Sequence, residues 1–445
     1  MSPRILKFNS RALGSGSALR RACAIVPREA PEGALVLVSA LQGGPEAIRE
    51  ALGAAARGDL SAARALLAAL VERHRALARE LGLPEPQAWK HLFERLETLL
   101  EGVGLVGELS ARTRDAARVV ADAAASELFA DLLAREAPVL RRDLREVVPT
   151  DGRHGRARLD GPALREAASA WAGLLGQGRH LVSQASIGQG PDGAPTTLGR
   201  GGSDLIATTL GEALGADQVQ IWTDVDGILS ADPSLVPEAR PIPALGLAEA
   251  AALSAFGAET LWAEALAPTA RAGFRLVVGN TLHPETGRTA ILAQAPPRAR
   301  GEVTSVAYKE GVAALRFPPE LGLEDLLDAA LRLEEAGASR YGLLSSPEGS
   351  VLVLRPEGQS EALLADLVAK GAVLERGWAV VALVGEGLRQ DPGAAARLLA
   401  PLAEERLGAV LGASPVSVAF LVPEERLPDL IPALHRCFIL EGVDA

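Results

Sequence analysis

Two apolar runs near the start of the chain, within 4–8 (R-I-L-K-F) and 34–40 (A-L-V-L-V-S-A), are short and almost uninterrupted. Continuous rather than alternating apolar character predicts strands buried on both faces of a parallel sheet. Between them, an apolar stripe at helical spacing predicts a helix from about Ser17 to Val26. From 45 to 109 the pattern turns Ala/Leu/Arg/Glu-rich with helical period, broken at Pro84 and Pro86, and predicts an insertion of scaffold helices. Further strands are predicted at 145–149, 179–184, 218–223 and 274–279, with helical segments between them. Strands alternating with helices predict an α/β domain with a mainly parallel sheet across 1–295.

After A-P-P-R-A-R-G (295–301), which reads as a linker, the pattern changes. V-T-S-V-A-Y, V-A-A-L-R-F, a helix near 323–336 and S-V-L-V-L-R form one unit. W-A-V-V-A-L-V, a helix near 393–405, V-S-V-A-F-L-V and a last helix form a second. The repeat, about seventy residues long, predicts paired small α+β modules at 303–371 and 377–445.

Composition narrows the function. A net charge of -11 argues against a nucleic-acid partner, which needs a basic face. No apolar run approaches membrane-spanning length, and no stretch reads as a signal peptide. Cys23 and Cys437 suggest reduced thiols and a cytoplasmic setting. Only four of 45 basic residues are lysines, so each merits inspection, Lys7 at the end of the first strand above all.

Two stretches carry candidate chemistry. T-T-L-G-R-G-G-S-D (196–204) runs into an apolar helix, so backbone N–H groups and the helix dipole would favour an anion, with Arg200 adding a bidentate contact. A Gly-rich turn with Ser203 as helix N-cap explains the same residues. V-Q-I-W-T-D-V-D-G-I-L-S-A-D-P then delivers Thr223, Asp224 and Asp226 to the carboxyl end of a buried strand, where α/β sheets place ligands. Those carboxylates would suit nucleotide hydroxyls or phosphate-bound Mg²⁺; an Asp-Gly turn is the alternative. The six histidines show no metal-ligand spacing, so no protein metal cage is expected.

Together these stretches resemble the aspartokinase branch of the amino-acid kinase family, which carries T-T-L-G-R-G-G-S-D followed by V-x-I-W-T-D-V-D-G. The resemblance continues through D-L-R-E-V-V-P-T-D, E-A-A-A-L-S-A-F-G-A and N-T-L-H-P-E-T, and through V-T-S-V-A-Y-K-E-G-V-A-A-L and A-L-V-G-E-G-L in the tail. It implies a three-layer kinase domain followed by tandem ferredoxin-like ACT modules. The implied reaction moves the γ-phosphoryl group of ATP, with Mg²⁺, onto the side-chain carboxylate of L-aspartate. Positioning and charge neutralisation dominate such chemistry. By the same resemblance, Lys7 would neutralise the transferring phosphoryl group and Asp204 would orient the phosphate-handling groups. Arg200 would clamp an aspartate carboxylate with Gly201 and Ser203 beside it. Ser39 matches the serine after the second strand. Glu127, in A-S-E-L-F-A-D-L-L, is set against the family's G-E-x-x-S-A-x-L-L and would hold the α-ammonium. Thr223 and Asp224 would lie against the nucleotide. The ACT modules imply a homodimer or higher homo-oligomer and an amino-acid effector such as lysine or threonine.

The chain also departs from the family. K-F-G-G-T-S-V becomes K-F-N-S-R-A-L, with Asn9, Ser10 and Arg11 replacing Gly-Gly-Thr. Glu259 stands where a lysine would approach ATP, Ser186 replaces an aromatic and Pro45 a threonine. Leu229 and Ser234 replace a tyrosine and an arginine, and A-S-P-V-S (413–417) replaces A-S-x-I-N. These changes leave open a non-catalytic amino-acid-binding regulator and a kinase for a related acidic amino acid.

Overall fold

The computed structural model describes residues 2–175, 178–257, 262–319, 323–346, 349–391, 393, 396, 398 and 408–441. It divides into two compact units, residues 1–227 with 260–293, and residues 228–259 with 294–445. The expected break near 295 therefore misses one excursion: 228–259 leaves the first unit and packs with the second.

In chain order the first unit contains β1 (Arg4–Phe8), α1 (Gly16–Glu29), β2 (Ala34–Val38), α2 (Gly44–Ala56), α3 (Leu60–Leu81), α4 (Gln87–Val106), α5 (Ala111–Leu133) and β3 (Val139–Arg141). It continues through α6 (Gly161–Ala172), β4 (His180–Gln184), β5 (Ile187–Gln189), β6 (Pro195–Thr197), α7 (Gly202–Leu214) and β7 (Gln218–Thr223). The excursion adds β8 (Ala244–Gly246) and α8 (Leu247–Phe256) to the second unit. The first unit closes with α9 (Leu266–Ala272), β9 (Arg275–Asn280) and β10 (Arg288–Leu292).

Within the first unit the sheet order is β3-β4-β2-β1-β7-β9-β10, parallel except for β10. All five residues of β2 are buried, as its unbroken apolar run requires. The chain leaves β1 toward β2 on one side and later returns to β7 on the other. That reversal makes a topological switch point at the carboxyl end of β1, the place where such sheets hold ligands. Leu6, Phe8, Val36 and Val38 enter a core shared with α1 and α5, where Phe8 stacks near Trp222 and Phe129.

The expected strand at 145–149 is absent: a short 3-10 turn spans Leu144–Glu146, and the edge strand β3 lies earlier. Asp143 accepts from Arg145 N–H at 3.0 Å, Gln184 Oε1 accepts from Leu144 N–H, and Pro149 has no N–H to offer a ladder. Side-chain acceptors have taken the backbone donors a strand would need. Helices α2, α3 and α4 fill the inserted segment, with Pro84 and Pro86 in the turn before α4.

The second unit adds β11 (Ser305–Phe317), α10 (Leu323–Glu335), β12 (Ser339–Ser346), β13 (Gly349–Arg355), α11 (Ser360–Ala369), β14 (Val373–Val384), β15 (Ala409–Ser414), β16 (Ser417–Pro423) and α12 (Leu427–His435). The two repeats share one antiparallel sheet, β12-β13-β11-β14-β16-β15, with β11 against β14 at its centre. V-T-S-V-A-Y and V-A-A-L-R-F, expected as two strands, form the single β11, irregular between Lys309 and Val312 where Gly311 has φ +69°. Most of the helix expected near 393–405 lies outside the described residues. Among the described residues, no helix is long and apolar enough to cross a membrane.

One buried group in the insertion makes a testable demand. His74 on α3 packs edge-on against Trp89 and Phe93, and its Nδ1 donates to Leu70 O at 2.8 Å. Burial pushes its pKa down from 6.5 to about 4. The neutral ring's contribution is therefore complete above pH 6.5 and is lost as pH falls toward 4, by about 3 kcal/mol. Urea midpoints of wild type should fall across that window, and His74→Phe should flatten the curve.

Candidate active site

Strand alternation sends Leu6 and Phe8 to the α1/α5 core and turns Lys7 to the opposite face, where α7 packs. There Lys7 is only 2% exposed. Its Nζ donates to Asp204 Oδ1 at 2.6 Å and also to Asn9 Oδ1. Asp204, buried in the first turn of α7, sits where the helix dipole favours negative charge. Taking both charges out of water is expensive, and deleting one partner strands the other at a cost of about 3–5 kcal/mol. Such a pair is poor evidence for stability.

The loop before α7 is built from glycine because its backbone must be left-handed. Gly199 and Gly201 have φ of +85° and +69°, and a Cβ on Gly201 would lie 2.3 Å from Trp262 Cγ. Gly201 is the N-cap, so Ser203 stands in the first turn and not at the cap position. Arg200 is exposed on this loop. A cleft of about 370 Å³ borders it, lined by Arg158, Arg200, Gly201, Leu205, Glu264 and Arg271 among others.

At the end of β7, buried Thr223 donates from Oγ1 to Asp224 Oδ1 at 3.2 Å. Asp226 has structural partners: Asn280 Nδ2 donates to it at 2.6 Å and His283 Nδ1 lies 3.1 Å away. Gly227 turns the chain there with φ +59°. Ser39 N–H donates to Phe8 O at 3.1 Å, tying the exit of β2 to the end of β1. Lys7, Asp204, Ser39, Thr223 and Asp224 thus gather at the carboxyl ends of β1, β2 and β7 and the adjoining first turn of α7, with Arg200, Gly201 and Ser203 on the loop and turn beside them.

Glu127 does not join them. Its Oε2 pairs with Arg141 Nε at 2.9 Å on the edge strand β3. Burial raises its pKa and the Asp131 charge adds to that, while Arg141 opposes both. Five residues earlier, about 140° around α5, Asp122 is 3% exposed. Its Oδ1 accepts from Ala40 N–H at 2.9 Å, next to Ser39, and its Oδ2 accepts from Ser186 Oγ. Burial pushes its carboxyl pKa up, against the Ser186 bond and the Arg118 charge. The motif admits a second alignment that singles out Asp122. With the carboxylate of G-E-x-x-S-A-x-L-L laid on Asp122, its closing leucines fall on buried Leu128 and Phe129.

Asn9, Ser10 and Arg11 adopt ordinary backbone: Ser10–Leu13 forms a 3-10 turn, and no described non-glycine residue has positive φ. In this conformation no position from Asn9 to Leu13 requires glycine. Glu259 lies outside the described residues.

Residues 3–280 match the profile of the amino acid kinase family. Over 362 residues the chain is 32% identical to lysine-sensitive aspartokinase 3 of Escherichia coli, covering 77% of this chain and 80% of that one. Over 396 residues it is 28% identical to the chloroplastic aspartokinase 1 of Arabidopsis thaliana, covering 84% and 69%. The crystal structure of E. coli aspartokinase III with aspartate and ADP superposes with a TM-score of 0.81 at 29% identity, over 99% of this chain and 100% of that one. The same enzyme with lysine and aspartate gives 0.77 at 28% identity, over 98% and 99%.

Two variants test the geometry. Gly201→Ala forces a left-handed alanine against Trp262 and should cost at least about 1–2 kcal/mol, read as a lower denaturant midpoint. Asp122→Asn should raise the melting temperature of the ligand-free protein at pH 7. A carboxyl whose pKa is raised by folding stabilises only while protonated, so the gain should vanish as pH falls below about 4.

Proposed function

The chain belongs to the amino acid kinase family, and from that premise we propose that it is an ATP-dependent aspartate kinase. It would convert L-aspartate to 4-phospho-L-aspartate, the first step toward lysine, threonine and methionine. The observation that carries the reading is the buried Lys7–Asp204 pair at the sheet's carboxyl edge, beside a G-R-G-G-S-D loop. A buried ammonium at a topological switch point is a preorganised charge for a transferring phosphoryl group. Asp204 holds that ammonium in place. Arg200, with Gly201 and Ser203, would receive a substrate carboxylate, and Thr223 and Asp224 would border the nucleotide.

For the α-ammonium, the geometry favours Asp122 over Glu127, because Asp122 stands beside Ser39 whereas Glu127 is held by Arg141. Among the described residues no group of three His, Cys, Asp or Glu could cage a metal ion. Mg²⁺ would arrive with the nucleotide phosphates, whose charge it shields. The unpaired Cys23 and Cys437 fit a reducing, cytoplasmic compartment.

In the second unit, a cleft of about 490 Å³ lies between α8 and the β15–β16 hairpin, with Arg389, Ser414 and Ser417 at its wall. It is the place we assign to an amino-acid effector such as lysine or threonine. Exposed Leu327 and Leu331 on α10 and Val368 on α11 suit a homodimer or higher homo-oligomer.

Incubation with MgATP and aspartate, trapping acyl phosphate with hydroxylamine, should give aspartyl hydroxamate. Lys7→Ala should lower kcat by roughly 10²–10³, the scale for losing one preorganised charge-stabilising donor. Asp122→Asn should raise the aspartate KM with little change for ATP. Wild type that yields no more hydroxamate than Lys7→Ala would sink the reading.

A further inference from the structure

Asn9 stands where the resembling family has a glycine, and its side chain is attached to the most important cation in the site. An ammonium has only hydrogens to offer, so the carboxamide facing Lys7 Nζ must present its oxygen. That fixes the other end: the Nδ2 hydrogens face away from Lys7, and among the described residues they meet no acceptor. The backbone is pinned independently, since Asn9 N–H donates to Trp222 O at 2.8 Å, joining the exits of β1 and β7. Two residues on, Arg11 is exposed, and its guanidinium has no hydrogen bond or ion pair among the described residues. A half-buried amide with two idle donors and a free cation thus flank a lysine at the switch point. Where glycines are replaced, the side chains of the loop add anion donors to its backbone N–H groups.

We propose that the N-S-R segment binds phosphate through side chains: Asn9 bridges Lys7 to a phosphoryl oxygen, Oδ1 holding Nζ and Nδ2 donating to the phosphate, while Arg11 supplies charge at the mouth. The inference rests on the kinase reading and deepens it. Asn9 is both a phosphate ligand and a positioning residue for Lys7. It fills two of the ammonium's three donor directions jointly with Asp204, leaving one N–H for the transferring group.

Calorimetric binding of MgATP, inorganic tripolyphosphate and adenosine to the full-length protein separates the possibilities. Asn9→Leu, close in shape but without hydrogen bonds, should weaken MgATP and tripolyphosphate about tenfold and leave adenosine unchanged. It should also lower kcat. Arg11→Ala should weaken both polyanions and flatten the dependence of MgATP affinity on salt. If Asn9→Leu binds MgATP as wild type does, or loses adenosine in equal proportion, the proposal fails. It fails equally if Asn9→Gly binds MgATP more tightly than wild type, since asparagine would then be an obstacle. Wild type that binds neither polyanion overturns the kinase reading along with this one.

Discussion

The first unit is organised around one buried ion pair. Lys7 can reach Asp204 only because β1 is central, with β2 in register on one side and β7 on the other, so that Lys7 sits between Leu37 and Ile221. Asp204 can answer only because the G-R-G-G loop folds tightly enough to start α7 at Gly202. Moving either partner by a residue would turn a side chain to the wrong face or a carboxylate out of the helix's first turn. The loop geometry, the sheet order and the helix start are therefore coupled constraints on one contact of 2.6 Å.

Around that contact the chain keeps groups that a stability-driven core would discard. Asp122 is a carboxylate without an ion-pair partner among the described residues, held by one backbone N–H and one hydroxyl. Asn9 points an amide at a cation that already has a carboxylate. The ordinary core lies a layer away, in Phe8, Phe129, Trp222 and the α1/α5 apolar faces. This division places unfavourable desolvation at the switch point and apolar packing behind it, the distribution expected of a site held rigid by its scaffold.

Much of this was legible in the residues, for identifiable reasons. Short, largely apolar runs gave β1, β2, β4, β7 and β9, because strands buried on both faces carry few polar residues. The glycines of 199–202 and the Asp-Gly pair at 226–227 announced turns that the positive φ values bear out. The strand expected at 145–149 failed because V-V-P looks apolar while Asp143 and Gln184, one of them forty residues from its partner Leu144, take the donors. Glu127 stood out in the sequence because one-dimensional matching favours an identical residue type and carries no information on which helical face stands beside Ser39. The excursion of 228–259 carries no local mark at all: it is decided by long-range packing of Ala231 and Val236 with Val381 and Phe420.

That excursion has a consequence for biosynthesis. Glu249, fully buried, caps Gly246 N–H and accepts from Thr304 Oγ1 and from Glu386 N–H. The last donor lies 137 residues downstream. On a ribosome, where elongation adds about 5–20 residues per second, the segment would wait on the order of 10 s for the partner that neutralises its burial. Meanwhile the residues that complete the first unit's sheet, β9 and β10, emerge behind it. The nascent chain must carry this segment until Glu386 has emerged, while β9 and β10 already complete the sheet of the first unit, so the second unit is the later one to close.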